Sequence, residues 1–194
     1  MGKLMVAAAL LLVAPALALA RSPDNKSGEQ DRAEAFAGYA FSHASIDSEG
    51  HNLNGWGLGV SINVSRHFGV TAELSDEYGR HAYLTGSGTS PVVTTEGFSL
   101  LHLLGGPRFV FPRRRATAFA QVLAGSVRQR YERTGNWPAQ FAMGFGGGVD
   151  VPLGKHLAYR AFQADYIRMK YTASSAWYYA FRLQTGVVLR FGGM

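Results

Sequence analysis

Three groups of residues in this chain have side chains suited to chemistry. The first is a set of charges inside strand-like stretches: Glu73, Asp150 and Asp165 with Arg108, Arg160, Arg182 and Arg190. A charge taken out of water must be paired to be tolerated, so carboxylates and guanidiniums sharing one surface form an ion-pair network. Such a network is either a structural plug or a polar path for ions. The second group is His43-Ala44-Ser45. Residues two apart lie on the same face of a strand, and a histidine can act as base to a serine nucleophile. A third group must orient the histidine, and Asp47 and Glu49 are the nearest carboxylates. The third group is the six histidines, His43, His51, His67, His81, His102 and His156. They are dispersed and show no spacing typical of a metal site, so no metal is expected. Gly146-Gly147-Gly148 lacks the Lys-Ser/Thr of a phosphate loop and opens no helix, and no cofactor is expected.

The elements that carry these residues alternate with period two. The clearest is Tyr179 to Phe191: Tyr179, Phe181, Leu183, Thr185, Val187, Leu189 and Phe191 take one face, and Ala180, Arg182, Gln184, Gly186, Val188 and Arg190 the other. In 53–65, Trp56, Leu58, Val60, Ile62 and Val64 oppose Gly55, Gly57, Gly59, Ser61 and Asn63. In 140–151, Phe141, Met143, Phe145, Val149 and Val151 oppose Ala142, Gly144, Gly146, Gly148 and Asp150. Further strands are expected over 33–44, 69–78, 95–111, 116–128 and 157–169. The fourth of the eight is apolar on both faces in its first half; Leu101, Leu103, Phe109 and Phe111 are expected outward and His102 and Arg108 inward. In the seventh, Gln163 and Asp165 share a parity that Arg160 does not. A β-bulge near Ala161 would bring all three to one side. No stretch holds a helical period.

Composition narrows the class. The chain has 194 residues, with 47% hydrophobic but only 16% charged, below the roughly 25% of ordinary globular proteins. It has 24 glycines, 12% aromatics and no cysteine, which excludes disulfides and thiolate metal sites. The formal charge of +6 comes from scattered residues and one turn cluster, Arg113-Arg114-Arg115. No basic helix or aromatic RNA-binding signature accompanies it, so nucleic acid is not an expected partner.

Residues 1–20 have a positive start at Lys3, an apolar run Leu4–Ala14 and a small-x-small site, Ala18-Leu19-Ala20. They read as a secretory signal peptide. Residues 21–32 read as a flexible N-terminal segment, residues 33–191 as the folded domain, and 192–194 as a C-terminal tail. The expected connections alternate in length. Those at 66–68, 112–115 and 152–155 are short; those at roughly 45–52, 79–94, 129–139 and 170–177 are longer and rich in Gly, Ser, Thr and Asn.

Which face is inside follows from size and charge. The face opposite the bulky residues holds glycines together with Glu73, Asp150, Arg182 and Arg190. A soluble sandwich would turn bulk inward and charge outward. A narrow barrel of about eight strands has an interior just wide enough for side chains, and glycines on some strands make room for arginines on others. A lipid-facing wall tolerates no mid-depth charge, where Arg or Lys costs about 2–4 kcal/mol. Strands of about 9–11 residues suffice to cross a bilayer. The expected fold is therefore all-β, an eight-stranded antiparallel up-and-down transmembrane β-barrel. Aromatic belts are expected at both rims: Tyr39, Phe41, Trp56, Trp177, Tyr178 and Tyr179 at the long-loop end, and Phe68, Phe111 and Phe191 at the other.

These residues resemble small bacterial outer-membrane β-barrels of the OmpA/OmpX-like class. The most specific segment is Gln184-Thr185-Gly186-Val187-Val188-Leu189-Arg190-Phe191. It matches the pattern polar, any, Gly, two of any, hydrophobic, any, aromatic, read in that class by the barrel-assembly machinery. Gln184, Gly186, Leu189 and Phe191 carry the match, and Gly192-Gly193-Met194 follow it. The resemblance implies location in the bacterial outer membrane, with outer-membrane lipids and the assembly machinery as partners; it names no external ligand. The expected role is structural or surface-interacting and non-catalytic. The alternatives are a narrow pore for small solutes, a soluble lipocalin-like barrel, and a lipid A- or phospholipid-modifying enzyme, since His43-x-Ser45 resembles a pair in outer-membrane lipid A deacylases.

Overall fold

The computed structural model describes residues 33–46, 49–85, 92–131, 135–136, 138–170 and 177–192. The expected signal peptide, the segment 21–32 and residues 193–194 lie outside these. The strands are β1 (Ala33–Ile46), β2 (Glu49–Asn63), β3 (Phe68–Thr85), β4 (Val92–Pro112), β5 (Thr117–Tyr131), β6 (Gly135–Asn136), β7 (Gln140–Pro152), β8 (Leu157–Lys170) and β9 (Trp177–Phe191). Among the described residues there is no helix.

Eight long strands form one antiparallel sheet in the order β4-β3-β2-β1-β9-β8-β7-β5, and a β4–β5 pairing closes it. The two-residue β6 pairs only with the far end of β5. The first and last wall strands meet in register, Ala33 opposite Phe191 and Ser45 opposite Tyr179. Closure gives each wall strand two hydrogen-bonded neighbours and leaves no free edge in the barrel wall among the described residues, the condition under which a sheet can sit in lipid.

The alternation sorts side chains as the sequence pattern requires. Phe145, Leu189, Leu103, Val70 and Phe111 are exposed on the outer wall, while Arg182, Arg108, His102, Asp150 and Asp165 are buried inside. Glycines mark where the fill needs space: a Cβ at Gly57 would sit 2.6 Å from the side-chain amide of Gln184, and one at Gly146 would collide with the Asp165 carboxylate and the Ala164 carbonyl.

The register of β8 shifts between Arg160 and Gln163. Against β7, Val149 faces Phe162 while the next residue, Asp150, faces Arg160, leaving Ala161 unpaired. This bulge puts Arg160 and Gln163, three apart in sequence, on the same face, and both are buried.

Three expectations are corrected. The stretch 79–94 is mostly paired strand, not loop: Gly79 to Thr85 pair with Phe98 back to Val92. Likewise β1 and β2 pair as far as Ile46 and Glu49, so the long connections are largely hairpins continuing past the barrel. The backbone of Tyr83, Leu84, Val92 and Val93 extends the ladder, residue types that favour strands, whereas Pro91 lies outside the described residues. The interior is not polar throughout. Its half toward the hairpins is filled by Leu53, Leu100, Leu104, Leu123, Val127 and Ile167 with their neighbours. Tyr178, expected on the outer belt, instead packs against this apolar fill, because its parity in β9 is that of Arg182.

Deleting Ala161 would remove the extra residue, so that Arg160, Phe162 and Gln163 alternate regularly and Arg160 and Gln163 still face inward. The expected outcome is a heat-modifiable folded band on a detergent gel, as in the wild type. Loss of that band in the deletion variant would contradict the placement of the bulge at Ala161.

Candidate functional site: the interior ion-pair network

The half of the interior toward the short turns holds four carboxylates, Glu34, Glu73, Asp150 and Asp165, and four arginines, Arg108, Arg160, Arg182 and Arg190, all buried. At the rim, Arg190 Nε lies 3.4 Å from Glu34 and Arg108 Nη1 lies 3.0 Å from it. Arg108 also donates to Ser61 Oγ at 2.7 Å and to Asp150 at 3.3 Å. Arg160 grips Asp150 with two parallel bonds, Nε to Oδ1 at 2.8 Å and Nη2 to Oδ2 at 3.2 Å, the fork geometry that suits guanidinium and carboxylate.

Deeper in, Arg182 donates to Glu73 at 2.5 Å, to Asp165 at 2.8 Å and to Ser75 Oγ at 2.9 Å. Two glutamines join the levels. Gln163 accepts from Arg160 at 2.6 Å and donates to Glu73 at 2.9 Å and Asp165 at 2.8 Å. Gln121 donates to Glu73 at 2.8 Å and Asp165 at 3.1 Å. Since Glu34 is on β1, Ser61 on β2, Glu73 on β3, Arg108 on β4, Gln121 on β5, Asp150 on β7, Gln163 on β8 and Arg182 on β9, every wall strand contributes.

Aromatic rings separate like charges. The Arg160 guanidinium lies 4.4 Å from the Phe36 centroid and 4.6 Å from Phe119, and Arg108 lies 4.0 Å from Phe119. A ring face attracts a cation, so Phe119 spaces two guanidiniums while holding both. Above the network, inside the apolar half, His102 Nδ1 lies 2.8 Å from Glu77, both fully buried.

The structure thus brings Glu73, Arg108, Asp150, Arg160, Asp165, Arg182 and Arg190 into one network. It adds Glu34, Gln121 and Gln163, the rings of Phe36 and Phe119, and the separate Glu77–His102 pair. The parity of Glu34, Phe36, Gln121 and Phe119 was available in the sequence; their partners on distant strands were not. Of the terminal-strand motif, Gln184 points inward, Gly186 pairs with Gly38 and with Arg160, and Leu189 faces outward. Asp76 has the parity of the outer wall yet is buried, because Arg130 pairs with it and Tyr78 donates to it at 2.9 Å.

His43 is exposed on the outer wall near the hairpin end, and its Nδ1 lies 2.7 Å from Asn52 Oδ1 on β2. Its orienting partner is therefore an amide. Asp47 lies outside the described residues, and Glu49 pairs with Ile46 at the hairpin tip. No group of three or more His, Asp or Glu positioned to hold a metal occurs among the described residues.

No protein-family model and no curated protein sequence matches the chain. Solved structures do. Neisserial surface protein A aligns over 85% of this chain and 100% of its own, with a TM-score of 0.62 and 12% identity. The chain has the fold of a small bacterial outer-membrane β-barrel. OprG of Pseudomonas aeruginosa aligns over 87% of this barrel and 99% of its own chain, at a TM-score of 0.55 and 9% identity. The attachment invasion locus protein Ail of Yersinia pestis, in complex with the heparin analogue sucrose octasulfate, aligns over 82% and 97% at 0.54 and 16%.

Removing one partner from a buried ion pair costs about 3–5 kcal/mol, because the other charge is left stranded. Arg182→Ala strands Glu73 and Asp165 together, and the barrel should unfold at a clearly lower temperature on a heat-shift gel. Arg182→Ala combined with Glu73→Gln and Asp165→Asn should recover part of the loss. An unchanged unfolding temperature in Arg182→Ala would remove the network from the account. Gly146→Ala, which pushes on Asp165 and the β8 backbone, should cost about 1–3 kcal/mol by overpacking, read as a lower midpoint in urea.

Proposed function

We propose that the protein is an integral barrel of the bacterial outer membrane whose role is structural or surface-interacting rather than conductive or catalytic. The observation that carries this reading is the filling of the interior. One half is occupied by guanidiniums and carboxylates bonded to one another, and the other by packed apolar side chains of which Leu53, Leu123 and Ile167 are fully buried. An ion following the charged half meets this apolar packing, which offers little to replace its hydration shell. The exposed apolar wall and the sealed bore leave the hairpin end as the part free to act. There β3 and β4 run to 18 and 21 residues, well beyond the roughly 9–11 needed to cross a bilayer.

The likeness to Ail, crystallised with a polysulfated heparin analogue, is consistent with a barrel that meets its surroundings through this end. Outward-facing Arg80, Arg128, Arg168 and Lys170 are exposed on the same part of the wall, and Arg168 lies 5.0 Å from the Trp177 ring. An amide partner for His43 gives weak support to an acyl-transfer site, so the reading assigns His43 and Ser45 no catalytic role.

Purified protein refolded into planar bilayers should give no steady single-channel conductance in molar potassium chloride. Reproducible unitary steps abolished by unfolding the protein would overturn the sealed-bore reading and favour a pore.

A further inference from the structure

The three short turns share one composition. Residues 64–67, 113–116 and 153–156 carry Arg66, Arg113, Arg114, Arg115 and Lys155, with His67 and His156 beside them and no Asp or Glu at any of the twelve positions. Tight turns ordinarily favour Asp, Asn and Gly, so three neighbouring turns of one sign are not a by-product of turn chemistry. All five cations are exposed. None of them takes part in the interior network, whose charges are matched four to four.

The turns are also held in place. Val64 and Ser65 N–H both donate to the Phe68 carbonyl at 2.9 Å, Arg113 N–H donates to Ala116 at 2.9 Å, and Leu153 N–H donates to Leu157 at 2.9 Å. Each turn but one is tied to its neighbour strand as well: Val110 N–H donates to the His67 carbonyl at 3.0 Å, and Arg190 N–H to the His156 carbonyl at 2.9 Å. The cations therefore form a crown carried on a hydrogen-bonded turn backbone.

The height of the crown identifies its partner. Outward-facing Phe68, Phe111 and Leu157 are the last apolar wall residues before the turns, and all are exposed. Arg66, Arg113 and Lys155 each lie two residues beyond one of them, about 7 Å along a strand. That distance spans the step from acyl chains to phosphates, and it is too short to project the cations far into the aqueous space. We propose that this crown binds the phosphodiester headgroups of anionic phospholipids, such as phosphatidylglycerol, in the membrane leaflet on the short-turn side. Attraction between basic residues at the membrane boundary and an anionic leaflet acts within a Debye length, a condition these turns meet. The inference rests on the membrane reading above and adds to it a lipid preference at one end.

The test uses the folded, isotope-labelled protein in zwitterionic micelles, with short-chain phosphatidylglycerol added and backbone amide shifts recorded. Shifts should concentrate at 64–68, 113–116 and 153–157, should be absent when phosphatidylcholine of the same chain length is added, and should disappear in about 1 M salt. Arg113→Gln/Arg114→Gln/Arg115→Gln should weaken the apparent affinity about tenfold or more, since each cation near an anionic surface contributes. A second variant, Arg66→Gln/Lys155→Gln, should weaken it on its own. These positions are exposed and outside the network, so the folded band should persist. Shifts confined to the hairpin end, equal shifts with phosphatidylcholine, or an unchanged affinity in both variants would overturn the proposal. So would retention on isolated peptidoglycan that both variants lose while phosphatidylglycerol moves nothing. A protein that is folded and soluble without detergent would instead sink the membrane reading beneath it.

Discussion

A buried guanidinium without a counter-charge is among the most costly features a protein can contain, and four are buried among the described residues. The structure is arranged so that none is stranded. Asp150 serves Arg108 and Arg160, Glu73 and Asp165 serve Arg182, and Glu34 serves Arg108 and Arg190. Because these partners stand on different strands, the pairs exist only when the sheet is closed. Closure places the charges together, and the charges hold the closed form.

The same constraint sets the rest of the interior. Long side chains need floor space, which is why Gly57 faces the Gln184 amide and Gly146 the Asp165 carboxylate. Guanidiniums repel, and Phe119 offers its ring to both Arg108 and Arg160 while Phe36 offers its own to Arg160. A one-residue bulge is accepted at Ala161 because otherwise Arg160 would point into lipid while Gln163 and Asp165 pointed inward. Past the last charge the fill becomes aliphatic, and the bore is closed by packing instead of by ion pairs. The Glu77–His102 contact is a buried charged-type pair set within that aliphatic half.

Period-two patterning was legible along nearly all of the barrel, because a wall with lipid on one side imposes strict alternation. Strand number and the inward parity of Arg108 and Arg182 follow from local pattern; the inward parity of Arg160 needs the bulge, and closure needs the argument from the interior fill and the lipid-facing wall. What was not legible needed information about height or about partners across the bore. The stretch 79–94 looked like loop by composition, yet strand pairing continues through it, since pairing beyond a membrane needs no lipid-facing alternation. The apolar half of the interior was hidden because β4 is apolar on both faces there, and Leu100 and Leu101 are told apart only by register. Asp76 violates the wall pattern by itself and is explained by Tyr78 beside it and by Arg130, 54 residues away in sequence.

The central claim is that the apolar face meets lipid and the charged face meets itself. The chain has no cysteine, so single cysteines can be placed at each position from 140 to 150 and spin-labelled in bilayers. The account predicts that labels at 141, 143, 145 and 149 collide readily with oxygen but not with a water-soluble nickel chelate, whereas a label at 142 is shielded from both. Oxygen access at position 142 equal to that at 143, or nickel access at position 145, would contradict it.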